Sequence, residues 1–410
     1  MKWCILLGSP AISGGTYVIF EHALRALDNG ITITIVTETK VDKSDLQWYK
    51  GAEKLEWKTY EEVKDIVYDA LIATWWRTVY EAYRIHAKHY IYFVQSIESK
   101  FYDVKEMPIV QLVEATYMLP FTFVTEATWI KDYLYEKYNK VAYLAHNGIR
   151  KDIYTEQGNC IAPRDPNKLR VLVEGPVNVG FKNIPKTIEL CKASNADEIW
   201  LMTSSNLTQY DGVDRVFSQV PIFKTPEIYR SCDVLVKLSY VEGMFGPPLE
   251  MFHCGGTSIT YNVTGHDEYI VHGYNGFVVK TDDDQKVIEY INQLKEDSDC
   301  LNRLKEGARK TAESWNGWDE AANKFRDIII DICNGNEESQ KVIEDESKFH
   351  FRSYVIAEDY LNELKAMKQT QISKKMLYRL KSRFSQEWKR KLKRSRIVVK
   401  IWSIMNGYQN

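Results

Sequence analysis

The chain predicts an α/β fold: two Rossmann-like domains facing a central cleft, followed by a C-terminal helical extension. Three observations carry this. Short apolar runs rich in β-branched residues alternate with helical stretches twice, across 1–155 and again across 156–335, and such alternation implies parallel sheets. A polar stretch at 155–168, with Pro163 and Pro166, separates the two series as a linker does. Beyond residue 335 the alternation stops, and 336–410 reads as a helical extension. Open parallel sheets bind ligands at the carboxyl ends of their strands, so two facing sheets put the expected site in the cleft between them.

In the first series, residues 3–7 are continuously apolar, as a strand buried on both faces requires. Ser13-Gly14-Gly15 reads as a tight loop, 17–27 as a helix stopped by Asn29-Gly30, and 31–37 as the next strand. Further strands are expected at 70–74, 90–94 and 121–125, and His146-Asn147-Gly148-Ile149 reads as a turn closing the domain. The second series predicts strands at 169–173, 198–202, 234–238, 258–261 and 276–279, with helices at 184–191, 226–231 and 249–254. Three helical stretches follow, the last over 318–333. Residues 335–348 are polar and acidic, and 350–368 look helical.

Composition narrows the class. Apolar content of 44% suffices for real cores. No apolar run reaches the length of a membrane span, and the run near the start is too short for a signal peptide. The cysteines Cys4, Cys160, Cys191, Cys232, Cys254, Cys300 and Cys333 are odd in number and form no C-x-x-C pair. That pattern argues against a disulfide framework or a zinc site and suits a reducing cytoplasm. The net charge of −2 hides an asymmetry, because 374–400 holds twelve Lys/Arg against Glu387, leaving −13 on the rest.

The segment richest in chemistry is 239–257. It follows a predicted strand and places Glu242 and Glu250 eight residues apart, around Gly243-Met244-Phe245-Gly246-Pro247-Pro248-Leu249, with Glu250 inside the first turn of the helix at 249–254. Loop amides and a helix N-terminus suit a diphosphate. Glu250 in the first turns is placed to reach ribose hydroxyls, and Glu242 lies where the sugar would be. Two glutamates so spaced are by themselves ordinary surface residues; the strand before them and the Gly/Pro loop between them set this pair apart.

This segment resembles the E-x7-E motif of glycosyltransferase family 4, whose members have the GT-B fold, and the resemblance covers most of 1–333. Asn262-Val263-Thr264-Gly265-His266 and Gly273-Tyr274-Asn275-Gly276 are similar to the strand-turn closing the family's donor pocket. Ser13-Gly14-Gly15 resembles its glycine loop, and Asn147-Gly148-Ile149 the end of its first domain. The resemblance implies a retaining enzyme that needs no metal or other cofactor. It implies Glu242 as the catalytic group and Glu250 as the ribose binder, with Gly14, Gly15, Lys182, Met244, Phe245, Gly246 and Leu249 around the donor. The family pairs an arginine with the lysine on the diphosphate; here Lys182 matches the lysine, and Pro176 stands where the arginine is expected.

Gln95 and Glu98 lie in a segment similar to the Gln-x-x-Glu of bacterial polysaccharide transferases related to rhamnosyltransferases. They are taken, with His266, as sugar or acceptor contacts, and the segment suggests a deoxythymidine-diphosphate rhamnose donor. His146 and His253 read as local hydrogen-bonding groups, and Trp75 and Trp76 as core rather than an acceptor platform.

In the extension, Leu377, Leu380, Phe384, Trp388 and Leu392 recur on one helical face among basic residues. A basic amphipathic helix suits an anionic membrane surface, and its apolar stripe favours that over the rival partners, nucleic acid or an acidic protein, so 374–405 is expected to dock on a membrane with no nucleic acid as partner. The expected protein is then a glycosyltransferase of bacterial surface polysaccharide synthesis, peripheral on the inner face of the cytoplasmic membrane. It would pass a sugar from a nucleoside-diphosphate sugar to a glycan or lipid-linked glycan. The alternatives are a nucleotide-sugar epimerase on the same fold, or a degenerate transferase serving as a binding or scaffold subunit, which the missing arginine motivates.

Overall fold

The computed structural model describes residues 1–103 and 105–383. The first sheet holds β1 (Lys2–Leu6), β2 (Thr32–Thr37), β3 (Glu56–Thr59), β4 (Val67–Ala73), β5 (His86–Val94), β6 (Thr122–Thr125) and β7 (Ala142–Leu144). All pair in parallel, in the order β3-β2-β1-β4-β5-β6-β7. Its helices are α1 (Gly14–Asp28), α2 (Tyr60–Val63), α3 (Trp76–Glu81), α4 (Met107–Ala115) and α5 (Thr128–Tyr138).

The second sheet holds β8 (Arg170–Glu174), β9 (Glu198–Thr203), β10 (Arg215–Ser218), β11 (Val234–Lys237), β12 (Thr257–Tyr261) and β13 (Gly276–Val279). It is also parallel, in the order β10-β9-β8-β11-β12-β13. Its chain supplies α6 (Ile184–Lys192), α7 (Thr225–Tyr229), α8 (Gly246–His253), α9 (Asp284–Glu296) and α10 (Ser298–Ser314), and α11 (Trp318–Cys333) and α12 (Gln340–Arg383) follow. In both sheets the strand order reverses once, between β1 and β4 and between β8 and β11. Such reversals open the crevices in which α/β sheets bind ligands.

Each sheet buries its apolar strands against helices. Val171, Val173, Val234, Val236 and Ile259 pack with Ile184 and Ile188 of α6 and with Val287 and Ile291 of α9. In the first domain Trp3, Ile5, Ile33 and Ile35 pack with Ile19, Phe20 and Ala23 of α1. Trp318, Ala321, Phe325, Ile329 and Ile332 of α11 join this first core. The division at 156–335 therefore needs correction: α11 crosses back to the first domain. Its 3.6-residue spacing reveals an apolar face but not which sheet that face meets. Each large apolar side chain so buried contributes about 1.5–3 kcal/mol.

Other elements also differ from expectation. Gly14 and Gly15 are not a loop; they open α1, capped by the Ser13 hydroxyl, which accepts the Thr16 N–H at 3.1 Å. Residues 146–149 form no turn, and Ile149 forms a parallel bridge with Gly317 just before α11. The linker is pinned, because the Arg164 guanidinium donates to the carbonyls of Cys232, Cys254 and Gly255 at 2.8–2.9 Å. The helix foreseen at 350–368 is part of the longer α12. No helix of the described residues is long and apolar enough to cross a membrane. α12 enters the basic segment 374–405, of which 384–405 lies outside the described residues.

Candidate active site

Strands β8 and β11 flank the order reversal of the second sheet, and each ends in a charged residue: Glu174 on β8 and Lys237 on β11. After β8 the chain forms a short 3₁₀ turn, Gly180–Lys182. The turn is tied to the end of β11 twice. The Asn183 side-chain amide donates to the Leu238 carbonyl at 3.1 Å, and the Tyr240 N–H donates to the Phe181 carbonyl at 2.8 Å. These ties hold Lys182 above the segment that carries Glu242.

The charges there form one cluster. Lys182 Nζ lies 2.7 Å from Glu242 Oε2, and Lys237 Nζ lies 3.8 Å from Glu242 Oε1. Lys237 Nζ also meets Glu174 Oε2 at 2.5 Å and the Glu174 carbonyl at 3.0 Å. Burial alone would raise the Glu242 carboxyl; Lys182 and Lys237 outweigh it and hold the group below its ordinary range. Glu250, on α8, goes the other way. Burial, with the Glu174 charge adding to it, pushes it up to about 7 against the opposing effect of Tyr229, Tyr154 and Lys237. The Tyr154 hydroxyl is paired with Thr225 Oγ1 at 2.8 Å, and the buried Tyr229 hydroxyl faces Glu250. Two carboxyl groups eight residues apart are thus shifted in opposite directions by their surroundings.

The loop between them is clamped by the first domain. Glu126, at the end of β6, accepts the Met244 N–H at 3.1 Å and the Asn147 side-chain amide at 2.9 Å. Trp129 Nε1 donates to the Gly243 carbonyl at 3.0 Å. A Cβ on Gly243 would collide with the Gln95 carbonyl, and one on Gly265, where φ is +80°, would collide with the Gly243 carbonyl. Glycine is required at both because backbone meets backbone, across the cleft at Gly243 and within the second domain at Gly265. Beside this contact, Glu268 takes the N–H and hydroxyl of Thr128 and lies 2.9 Å from His146 Nε2.

Helix α8 begins at Gly246, three residues earlier than its apolar spacing suggests, with Pro247 and Pro248 in its first turn. Proline fits there but has no N–H. With the Met244 amide already donated, the loop offers a diphosphate fewer donors than its glycines imply. Phe245 and Leu249 are fully buried and Met244 nearly so, so these side chains pack inward and leave only backbone for a donor.

On the first-domain side, Gln95 lies over Gly15: its amide is the group a Cβ there would touch, while Gly14 faces open space. Gln95 Oε1 is buried and unpaired. Glu98 turns inward, accepting the Trp76 N–H at 2.8 Å and the Tyr92 hydroxyl at 3.0 Å. Burial pushes it up to about 8, so it acts as a brace for α3 rather than as an open sugar contact. Trp76 is buried as expected, and Trp75 packs on Gly8. His266 Nδ1 is 2.6 Å from the Val263 carbonyl, a local role. Phe101 and Phe181 stack across the cleft at 4.6 Å and 9°.

The structure thus joins Glu242 to Lys182, and Gln95 to Gly15 and Gly243. Sequence reasoning missed Glu126, Glu174, Tyr154, Tyr229 and Lys237. Lys237 left a signal: one cation inside the apolar run Val234-Leu235-Val236-Lys237-Leu238.

Comparisons with known proteins agree with this architecture. The family model for glycosyl transferases group 1 matches residues 211–311. A comparison with curated proteins finds no significant match. Among solved structures, sucrose-phosphate synthase from Thermosynechococcus elongatus covers 81% of this chain and 98% of its own, with 14% identity and a TM-score of 0.66. The Anabaena protein HepE, solved with UDP and glucose, covers 81% of this chain and 100% of its own, with 13% identity and a TM-score of 0.65. WaaG, a glycosyltransferase involved in lipopolysaccharide biosynthesis, covers 80% and 99%, with 13% identity and a TM-score of 0.63. The chain has the GT-B fold of two Rossmann-like domains.

Proposed function

We propose that this protein is a retaining, metal-independent glycosyltransferase that moves a sugar from a nucleoside-diphosphate sugar to a glycan or lipid-linked glycan of a bacterial surface polysaccharide. The observation that carries the reading is the Lys182–Glu242 pair at 2.7 Å, set at the order reversal of the second sheet beside Gly243, which abuts the Gln95 backbone across the cleft. A departing nucleoside diphosphate gains negative charge, and Lys182 is the reachable cation beside it. Glu242, ionised by its two lysines, lies where positive charge develops on the sugar. Glu250, beside Tyr154 and Tyr229, is the ribose ligand. The fold match to HepE and WaaG supports a UDP-sugar-type donor and a role in glycan assembly. The basic segment 374–405 supports peripheral attachment to the inner face of the cytoplasmic membrane.

A thermal-shift series with UDP, dTDP, GDP and their sugars tests this, because a ligand of the folded state raises the melting temperature. One nucleotide family is expected to stabilise the protein, and Glu250→Ala to abolish the effect. No shift with any of them overturns the reading. Removal of 374–410 should release the protein from anionic vesicles and leave nucleotide binding intact; unchanged vesicle binding removes the membrane role.

A further inference from the structure

Lys182 and Lys237 both face Glu242, but they are held differently. Lys182 sits on the 3₁₀ turn with its side chain 21% exposed; Lys237 ends β11 and is 3% exposed. Lys237 is fixed by the Glu174 carboxylate at 2.5 Å and the Glu174 carbonyl at 3.0 Å. A diphosphate entering the crevice competes with Glu242 for whichever cation can turn toward it, and charge-assisted hydrogen bonds to phosphate favour that exchange. Lys182 can turn, whereas Lys237 is locked by the sheet beneath it.

We propose that Lys237 is a positioning residue: it is the fixed counter-cation that keeps Glu242 ionised when Lys182 leaves it for the donor diphosphate. The inference rests on the transferase reading above. The groups around Glu242 are Lys182 on the turn, Lys237 on β11, Glu174 on β8, Glu250 on α8, and the Ser239 and Tyr269 hydroxyls. Of these, two are cations, so the departure of Lys182 leaves Lys237 alone against three carboxyls. Glu242 Oε1, which faces Lys237, is buried with no hydrogen-bond partner. With Lys237 removed as well, a buried carboxylate without a cation takes a proton from solvent.

The test is proton uptake on nucleotide binding, measured by titration calorimetry at about pH 7 in buffers of different ionisation enthalpy. UDP, dTDP and GDP are titrated into the full-length wild type and into Lys237→Met/Glu174→Gln, which removes both members of the fixed pair and so strands neither. The double variant is expected to take up about one proton more than wild type. Adding Glu242→Gln should erase that excess, and Lys237→Arg should behave as wild type. Binding by the double variant with wild-type uptake overturns the inference and leaves the transferase reading standing. Binding of none of the three diphosphates to wild type overturns both. Lys182→Met approaches the question without disturbing the fixed pair. It should weaken diphosphate binding about tenfold or more with no extra proton uptake, and extra uptake there also overturns the inference.

Discussion

Glu126 of the first domain accepts the backbone N–H of Met244, in the second domain's loop, at 3.1 Å. The loop that carries the central glutamate is therefore shaped by both domains, and its amide is held by a carboxyl group whose charge depends on pH.

Burial pushes the Glu126 carboxyl up to about 7, against the pull of Asn147 and the Met244 amide. An unfolded glutamate ionises near 4.5, so between these values the folded state holds the extra proton and stability falls as pH rises. The cost at pH 8 reaches about 3 kcal/mol at 1.4 kcal/mol per unit. Glu126→Gln removes it, and the unpaired Asn147 Oδ1 can accept from the new amide after a flip. The variant should melt several degrees above wild type at pH 8 and lose that advantage near pH 5. A melting temperature below wild type at pH 8 contradicts this account.

Gly243→Ala forces a methyl into the Gln95 carbonyl. Overpacking of this kind costs about 1–3 kcal/mol, and here the strain is relieved by parting the domains. Urea unfolding should show the loss, and small-angle scattering a larger radius of gyration. A variant as stable and as compact as wild type would mean that the cleft contact is dispensable.

His22 is buried on α1, stacked on Phe325 at 4.1 Å, with both ring nitrogens unpaired. Burial, aided by Arg25, lowers it to about 3. The folded state keeps it neutral while the unfolded chain takes a proton below about 6.5, so its contribution to stability is lost as pH falls. At pH 5 the loss is about 2 kcal/mol. His22→Leu should be more stable than wild type by about that amount at pH 5, read from urea midpoints. An equal pH dependence in both proteins would show that His22 is not the group that titrates.

Glu242→Gln should fold normally and lose about 100-fold in turnover, the scale of single electrostatic groups in active sites. Its nucleoside-diphosphate affinity should be unchanged or higher, because Lys182 no longer has a carboxylate to leave. Wild-type turnover would remove Glu242 from the chemistry.

Much of this site was legible in the sequence. The strand before Glu242 is an apolar run, and the glycines and prolines after it mark a turn into a helix; both are local signals. Glu126 was invisible because its partner is 118 residues away, and nothing local distinguishes it from any residue ending a strand. Lys237 was passed over because one cation inside an apolar run does not by itself mark a site. The strands β3, β7 and β10 were missed for another reason: they are short, and β3, β7 and β10 stand at the sheet edges, where partly polar sequences such as Glu56-Trp57-Lys58-Thr59 serve as well as apolar ones.

The return of α11 to the first core has a consequence for biosynthesis. A chain emerging from the ribosome presents β1 to β7 long before residues 318–333 exist, so the apolar face that meets Phe325 and Ile329 waits uncovered while the whole second sheet is made. At about 5–20 residues per second that interval lasts on the order of ten to forty seconds. The second domain can close its own core during that time, and the first cannot. Nascent chains ending near residue 155 should accordingly engage holdase chaperones, and chains extended past 333 should release them.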